Sequence, residues 1–288
     1  MDAFAKNVYA RRNVRHVPAR VLQYAVMVVI IAVMVFPFFW LLASSIKPAG
    51  EQGAIPPVWW SMHPDLSPYA TVFQVTPFAR ALLNSIIITV CSTFGILITS
   101  IMAGYVFAKH HFRGKNAIFI VVLATMMVPQ FVLLIPLYRM MDAWSLTNTY
   151  PGLILPNLAN GFGIFLMRQF IMGIPDELLE AAHMDGASEW TILWRVIVPQ
   201  LRPAAAALIL FAFVFQWNNF LWPLSVVNTP DMSTVVLSLN GLRTYTSSVS
   251  FANIVMAGTV IGILPSIILT LWVQKYFIEG ISMTGIKG

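Results

Sequence analysis

Six long apolar runs constrain this chain more than any other feature of its sequence. They cover residues 21–46, 84–107, 117–137, 150–167, 203–221 and 252–273, and none contains Asp, Glu, Lys, Arg or His. A helix of about 20 apolar residues spans the hydrocarbon core of a bilayer, and backbone groups in lipid must hydrogen-bond within their own segment. Only 10% of the residues are charged, whereas about a quarter are charged in soluble domains. The sequence therefore predicts an all-α integral membrane protein with six transmembrane helices, and excludes a soluble globular domain.

The basic residues predict the orientation, because Lys and Arg are retained on the cytoplasmic side of a membrane. With the N-terminus inside, the inner segments hold thirteen of them: Lys6, Arg11, Arg12, Arg15, Arg20, Lys109, Arg113, Lys115, Arg168, Arg195, Arg202, Lys275 and Lys287. The outer segments hold four: Lys47, Arg80, Arg139 and Arg243. Both termini should be cytoplasmic. This bias explains the pI near 9.6, so the pI does not indicate nucleic-acid binding. The Arg11-Arg12 cluster is expected to contact anionic headgroups of the membrane lipid.

The chain is thus divided into a basic cytoplasmic N-terminus (residues 1–20), one transmembrane domain (21–273) and a cytoplasmic C-terminal tail (274–288). A polar segment, residues 175–199, interrupts the apolar runs inside the transmembrane domain. Pro175 followed by two acidic residues favours a helix start. Gly186 predicts a tight turn, and Ser188 can cap a second short helix. We expect a cytoplasmic hairpin of two short helices.

This hairpin resembles the EAA loop of ABC-importer permeases. The family pattern is Glu-Ala-Ala, three residues, Gly, nine residues, Ile, one residue and Leu-Pro. Five positions match it here: Glu180, Ala181, Ala182, Gly186 and Pro199. Val196 and Val198 replace the usual Ile and Leu.

Two further segments resemble the carbohydrate-type, maltose-type members of that family. Residues 217–223, WNNFLWP, are similar to their Trp-Asn-x-aromatic segment. The C-terminal residues 280–288 are similar to their tail, Gly-Leu-Thr-x-Gly-Ala-Val-Lys-Gly, from which Thr284 and Gly285 depart. The resemblance covers the second half of the chain and agrees with six spans in all.

The resemblance implies a type I ABC importer fold in a bacterial cytoplasmic (inner) membrane, with the hairpin as the coupling helix. It implies a second, different permease chain, two ATPase subunits that bind ATP and Mg²⁺, and an extracytoplasmic solute-binding protein. Closure of the ATPases would move the hairpin and import a sugar or related polyhydroxylated solute by alternating access. The coupling residues would be Glu180, Ala181, Ala182, Asp185, Gly186 and Pro199, and the docking residues of the tail would be Gly280, Lys287 and Gly288.

Motifs for enzyme chemistry do not accompany these features. The sequence contains no Gly-x-x-x-x-Gly-Lys-Ser/Thr loop, no Gly-x-Ser-x-Gly elbow and no His-Glu-x-x-His helix. We therefore expect a transport subunit that binds no cofactor itself. A single cysteine, Cys91, excludes an internal disulfide. The pair His110-His111 has no further ligands nearby in sequence and is expected in a solvated loop, not at a metal.

The end of the fifth apolar run offers a candidate solute pathway. Amide and indole groups suit the hydroxyl groups and C–H faces of a sugar, and the residues concerned are Gln216, Trp217, Asn218, Asn219 and Trp222. Helical spacing places Asn218 and Trp222 on one face. Alternatively, these residues could have a purely structural role and bond one helix to another near the membrane interface. The absence of cations in the spans favours an uncharged solute.

Two other functions stay open. A permease of the same fold could carry a glycerol phosphate, a peptide or an amino acid. A secondary transporter is the rival class, but such carriers usually bury ionisable residues along their pathway.

Overall fold

The computed structural model describes the backbone of residues 2–245 and 252–284, and the side chains within 20–243 and 252–275. Every regular element in these ranges is helical, in agreement with the all-α prediction. The helices are α1 (Asp2–Ser45), α2 (Ser67–Val75), α3 (Phe78–Lys109), α4 (Lys115–Thr125), α5 (Gln130–Ala143), α6 (Tyr150–Ile154), α7 (Gly161–Met172), α8 (Glu177–Met184), α9 (Glu189–Gln200), α10 (Arg202–Trp217), α11 (Leu221–Val226), α12 (Val235–Tyr245) and α13 (Ala252–Thr284).

One compact unit comprises the described parts of residues 1–71 and 246–260. Aromatic rings pack near the end of α1, where the centroids of Trp40 and Trp59 lie 5.7 Å apart. The Lys47 ammonium lies 4.0 Å from the centre of the Trp40 ring, a cation–π contact. The amide of Asn253 donates to the Lys47 carbonyl at 3.0 Å. These contacts hold the polar segment that follows α1.

The other compact unit comprises residues 72–245 and the described parts of 261–288. Its central helix, α3, packs most extensively against α7 and α10. Small residues allow α3 and α7 to approach closely: a Cβ added at Gly104 would lie 2.8 Å from Met167 Cβ, and one at Gly163 would lie 2.2 Å from Ser100 Oγ. The buried residues around this contact include Ile96, Ile101, Met167, Ile171 and Leu208.

Three helices in the described residues are long and apolar enough to cross a membrane: Arg20–Ser45 within α1, the whole of α3, and Ala252–Lys275 within α13. Two bent pairs, α4 with α5 and α9 with α10, raise the number to five if each pair is one span. The fourth predicted span, residues 150–167, is divided among α6, a 3₁₀ turn and α7. The described helices thus differ from the six continuous spans expected.

The interruptions have local causes. Pro129, which has no N–H, precedes α5 where the chain bends by 99°. Asn160 begins α7 by accepting a hydrogen bond from Gly163 N at 2.8 Å, and at 12 residues α7 is too short to span a bilayer alone. A hydropathy profile does not reveal these interruptions of the helices, because the residues around them are also apolar.

Candidate functional site

The segment that matches the family loop forms a helical hairpin of α8 and α9. The turn between them is a Schellman motif, because Ala187 N donates to Ala182 O at 3.0 Å and Gly186 N donates to His183 O at 2.9 Å. Gly186 has φ +77°, a left-handed conformation that glycine adopts without a Cβ penalty. Ser188 Oγ then accepts from Thr191 N and begins α9. These local interactions determine the shape of the tip.

A hydrophobic stem attaches the hairpin to the helices beneath it. The stem consists of the buried side chains Leu179, Ile192, Leu193 and Ile197, which pack with α3, α7 and α10. Residues 192–197 of α9 are π-helical, and this wider turn brings Ile192 and Ile197, five positions apart, to 0% exposure together. Burying a large aliphatic side chain contributes about 1.5–3 kcal/mol. The stem therefore supplies most of the attachment.

A cluster of polar side chains, the clamp, orients the hairpin relative to the end of α3. We define the clamp as Tyr105, His110, His183 and Glu189. Tyr105 Oη donates to Glu189 Oε2 at 2.7 Å, His183 Nε2 lies 2.9 Å from Glu189 Oε1, and His110 Nε2 lies 3.4 Å from Glu189 Oε2. One carboxylate at the start of α9 thus joins α8, α9 and the end of α3.

A second ion pair holds the entry to the hairpin. Lys109 Nζ lies 2.6 Å from Asp176 Oδ1 and also donates to the Ile174 carbonyl. The Lys109 side chain is only 7% exposed, whereas that of Asp176 is 75% exposed. The pKa of Asp176 is lowered by its hydrogen bond to Lys109. The last residue of α3 therefore pins the segment between α7 and α8.

The contacts of His183 indicate that its ring carries two protons. Its Nδ1 lies 2.8 Å from the Leu179 carbonyl oxygen and its Nε2 faces the Glu189 carboxylate. Both partners only accept hydrogen bonds, so both ring nitrogens must donate. The hydrogen bond to Glu189 raises the pKa of His183, and the same bond, together with that from Tyr105, lowers the pKa of Glu189.

The clamp should make the order of the hairpin depend on pH. The His183 contribution is complete below its ordinary pKa of 6.5 and is lost as pH rises through the raised pKa. The Glu189 contribution is complete above its ordinary pKa of 4.5 and is lost as pH falls through the lowered pKa. Amide hydrogen exchange of residues 179–187, corrected for intrinsic rates, should show more protection at pH 6 than at pH 8.5.

Two variants test this prediction. Glu189→Gln should remove the pH dependence, because the charge partner of His183 is gone. Asp176→Asn is the matched control and should leave the pH dependence in place, because Asp176 pairs with Lys109 and is not a member of the clamp. An unchanged pH dependence in Glu189→Gln would show that the clamp does not control the hairpin.

The predicted coupling residues lie around the tip. Glu180, Ala181, Asp185 and Gly186 are exposed, Pro199 is exposed near the end of α9, and Ala182 is partly buried against the stem. No hydrogen bond or ion pair within the described residues engages the Glu180 side chain. The hairpin therefore presents small side chains and an unpaired carboxylate outward.

Sequence reasoning missed the clamp. His110 was expected in a solvated loop, yet its ring lies edge-on to Tyr105, with centroids 5.0 Å apart, and is partly buried. The six-residue spacing of His183 and Glu189 on either side of a glycine turn was the available signal, because a Schellman turn followed by a capped helix brings such residues together.

A second group of predicted residues lies around two adjoining cavities in the described part of the unit containing α3. One has a volume of about 540 Å³ and the other of about 510 Å³. Asn218, Asn219 and Trp222 line the first, and Gln216 lines the second. Gln216 is 6% exposed, and its Nε2 has no hydrogen-bond partner.

The two tryptophans have structural partners. The Trp217 indole lines neither cavity and donates to the Gly262 carbonyl at 2.9 Å. The Trp222 indole donates to the Gly152 carbonyl at 3.1 Å while its ring lines the larger cavity. Asn218 and Trp222 do not share one helix face, because α10 ends at Trp217 and α11 begins at Leu221. The prediction of a shared face was wrong, since the chain leaves the helix at Asn218.

Gln130 and Asn157 line both cavities and were not singled out from the sequence. Each follows a proline that interrupts an apolar run, Pro129 and Pro156 respectively. Broken helices inside a membrane commonly line binding cavities, so polar residues beside these prolines were the signal. Among the residues that the structure describes, no charged residue lines either cavity.

Comparisons with known proteins agree on a single group. The family described as "Binding-protein-dependent transport system inner membrane component" matches residues 95–283. The arabinooligosaccharides transport system permease protein AraQ of Bacillus subtilis is 35% identical over 88% of this chain and 90% of its own length. The sn-glycerol-3-phosphate transport system permease protein UgpE of Yersinia pestis is 32% identical over 72% of this chain and 73% of its own.

A solved structure gives the same grouping. A chain of a bacterial ABC transporter involved in the import of the acidic polysaccharide alginate superposes with a TM-score of 0.80 at 25% identity. The superposition covers 91% of this chain and 98% of that one.

Proposed function

Because this chain belongs to the family of inner-membrane components of binding-protein-dependent transport systems, we propose that it is the permease subunit through which an ATP-driven importer moves a sugar or related polyhydroxylated solute into the cytoplasm. One observation carries the proposal. Three residues that match the family loop, Glu180, Ala181 and Gly186, lie exposed at the tip of a hairpin whose stem is buried against α3, α7 and α10. A force applied to the tip by another protein would reach the helices that surround the cavities.

The tip suits docking into a groove of an ATPase subunit. Ala181 leaves little bulk on α8, and Glu180 can pair with a cation of the partner. The partner ATPases would bind ATP and Mg²⁺ and, on closing, draw the hairpin with them. The stem and the clamp would pass this movement to α3 and α7, and the cavities would open alternately to the two sides of the membrane.

The lining of the cavities supports an uncharged, hydroxyl-rich solute. The amides of Gln130, Asn157 and Asn218 offer donors and acceptors, and Trp222 and Phe215 offer aromatic surface. Among the relatives, AraQ carries the name of an arabinooligosaccharide system. A glycerol phosphate is the second candidate, since UgpE carries that name, but the described lining residues include no cation to meet a phosphate.

The remaining assembly follows from the family. The chain would work with a second permease, two ATPase subunits and an extracytoplasmic solute-binding protein. It would cross the membrane six times, with both termini in the cytoplasm. Of the proposed docking residues in the tail, Gly280 lies in α13, and Lys287 and Gly288 lie outside the described residues.

Purification of the tagged chain from its own membrane tests the proposal. The ATPase, the second permease and the binding protein should copurify. In proteoliposomes, the complex should transport solute only when ATP is present on the side of the membrane where the hairpin lies. A chain that purifies alone and drives uptake from an ion gradient would instead be a secondary transporter. The solute bound by the copurified binding protein would identify the substrate.

The cavity amides give a further prediction. Asn218→Leu should raise the KM for transport about three- to tenfold, because one hydrogen bond to the solute is lost. ATPase activity without solute should persist, since within the described residues the Asn218 side chain bonds only to the Val214 carbonyl. Asn228→Leu is the matched control, because Asn228 is exposed and lines neither cavity. Equal KM values in both variants and the parent would place the solute contacts on the other permease.

A further inference from the structure

A third cavity, separate from the hairpin and from the two cavities above, lies where α3 ends and α4 begins. Its volume is about 500 Å³, and its polar lining comprises His111, Lys115, Asn116 and Arg168, with Gly114 between them. Within the described part of the chain, no acidic residue lines it. The Lys109–Asp176 pair connects the end of α3 to the hairpin entry, so the cavity opens at the same end of the molecule as the hairpin.

The two permanent cations of the cavity keep donors available. Arg168 Nε donates to the Phe107 carbonyl at 3.1 Å, and its guanidinium lies 4.3 Å from the centre of the Phe119 ring. These contacts orient the group without using its Nη donors. Lys115 donates to the His110 carbonyl at 2.8 Å and, more weakly, to the Ala108 carbonyl at 3.4 Å, which leaves one of its three protons. The His111 imidazole interacts with Asp176, so we do not include it among the donors available to an anion.

Apolar side chains complete the lining. Phe112 and Met172 belong to the wall of the cavity and are 40% and 51% exposed. A soluble anion gains nothing from such a rim, whereas a phospholipid places its phosphate beside the cations and its acyl chains along the apolar surface. Basic pockets between helices at a membrane surface suit anionic headgroups for this reason.

We propose that this cavity binds the phosphate of an anionic phospholipid, with Arg168 and Lys115 as its ligands. The site is independent of the transported solute. Its lining residues come from α4, α7 and the end of α3, so a bound lipid would stabilise the contact of α4 with α7. The guanidinium offers paired donors to phosphate oxygens, and the ammonium adds a second charge.

Native mass spectrometry of the purified complex, titrated with phosphatidylglycerol or phosphatidylcholine, tests the proposal. Phosphatidylglycerol should bind the parent more tightly. Lys115→Gln should weaken this binding about fivefold, the effect of one cation near a headgroup. Asn116→Asp should weaken phosphatidylglycerol binding at least as much, because it places a negative charge in the lining of the cavity. A folding defect is not expected in this variant, since an acidic residue in the first turn of α4 favours the helix.

Arg113→Gln is the matched control, because Arg113 is a cation of the same loop but does not line the cavity. It should leave phosphatidylglycerol binding unchanged. Equal binding of the two lipids, or an equal loss in Arg113→Gln and Lys115→Gln, would overturn the proposal. A final arm adds inorganic phosphate: competition at concentrations similar to those of the lipid would identify a soluble phosphate site and overturn the lipid assignment.

Discussion

Replacement of Gly186 by Val is expected to lower ATP-driven uptake at least tenfold while the protein remains in the membrane. The cause is the backbone. A Cβ at Gly186 meets nothing within 4 Å, but the residue has φ +77°, which costs an ordinary residue roughly 1–2 kcal/mol and a β-branched one more. The Schellman turn should open, and the tip should lose the shape that enters its partner.

Gly186→Asn is the matched control, since Asn tolerates the left-handed conformation far better than Val. It should retain most of the uptake. Gly186→Asp, which also adds a charge at the tip, should fall between the two. Membrane content by immunoblot, uptake into proteoliposomes and ATPase stimulation by the binding protein separate coupling from stability. Normal uptake in Gly186→Val would mean that the turn does not couple transport to ATP.

Glu180→Lys tests the tip without touching its backbone. Glu180 is exposed and has no partner within the described residues, so the fold should tolerate the change. A reversed charge should repel the cation of the ATPase that the carboxylate would otherwise pair with. ATPase association measured by copurification should therefore decrease, and a complex of normal composition would contradict the docking assignment.

The second large effect is expected at Gly104, where α3 crosses α7. In Gly104→Ala the new Cβ would lie 2.8 Å from Met167 Cβ and 2.9 Å from the backbone nitrogen of Arg168. A backbone cannot rotate away as a side chain can, so the helices must separate. Overpacking of this kind costs about 1–3 kcal/mol. The thermal unfolding midpoint of the purified complex should fall by several degrees, and Gly104→Val should reduce membrane content.

Gly173→Ala is the matched control. It makes the same substitution in the same unit, but its Cβ would meet only the Phe170 carbonyl oxygen at 3.4 Å, an ordinary contact. The midpoint should change little. Equal midpoints for Gly104→Ala and the parent would show that α3 and α7 can separate at no cost, and that their close approach is not needed for stability.

The clamp and the stem contribute differently to the attachment of the hairpin. The stem residues Ile192 and Ile197 are fully buried, so they hold the hairpin at every pH. The side chains of His183 and Glu189 are 49% and 53% exposed, and ion pairs this accessible to water contribute little to stability. We therefore expect the clamp to orient the hairpin and to make its order sensitive to pH, while the stem carries the attachment.

Features that depend only on neighbouring residues were predictable from the amino-acid order. The apolar runs identify a membrane protein because the cost of placing charge in lipid applies to each residue separately. Pro175, Gly186 and Ser188 predicted a helix start, a tight turn and a helix cap within this segment, because caps and left-handed turns act over three to five residues. The family loop is recognisable for the same reason, since its pattern is a fixed spacing along one hairpin.

Contacts between residues that are distant along the chain depend on how the helices pack, and these contacts were not predictable. Tyr105 and Glu189 are 84 positions apart, and no periodicity along either helix predicts that a phenol of α3 will reach a carboxylate of α9. The cavities likewise combine Gln130, Asn157 and Asn218 from three separate breaks in the apolar runs. Hydropathy averages over such breaks, whereas the direction of each bend depends on the packing of whole helices. That packing rests on close approaches such as the one at Gly104, which a local sequence pattern does not contain.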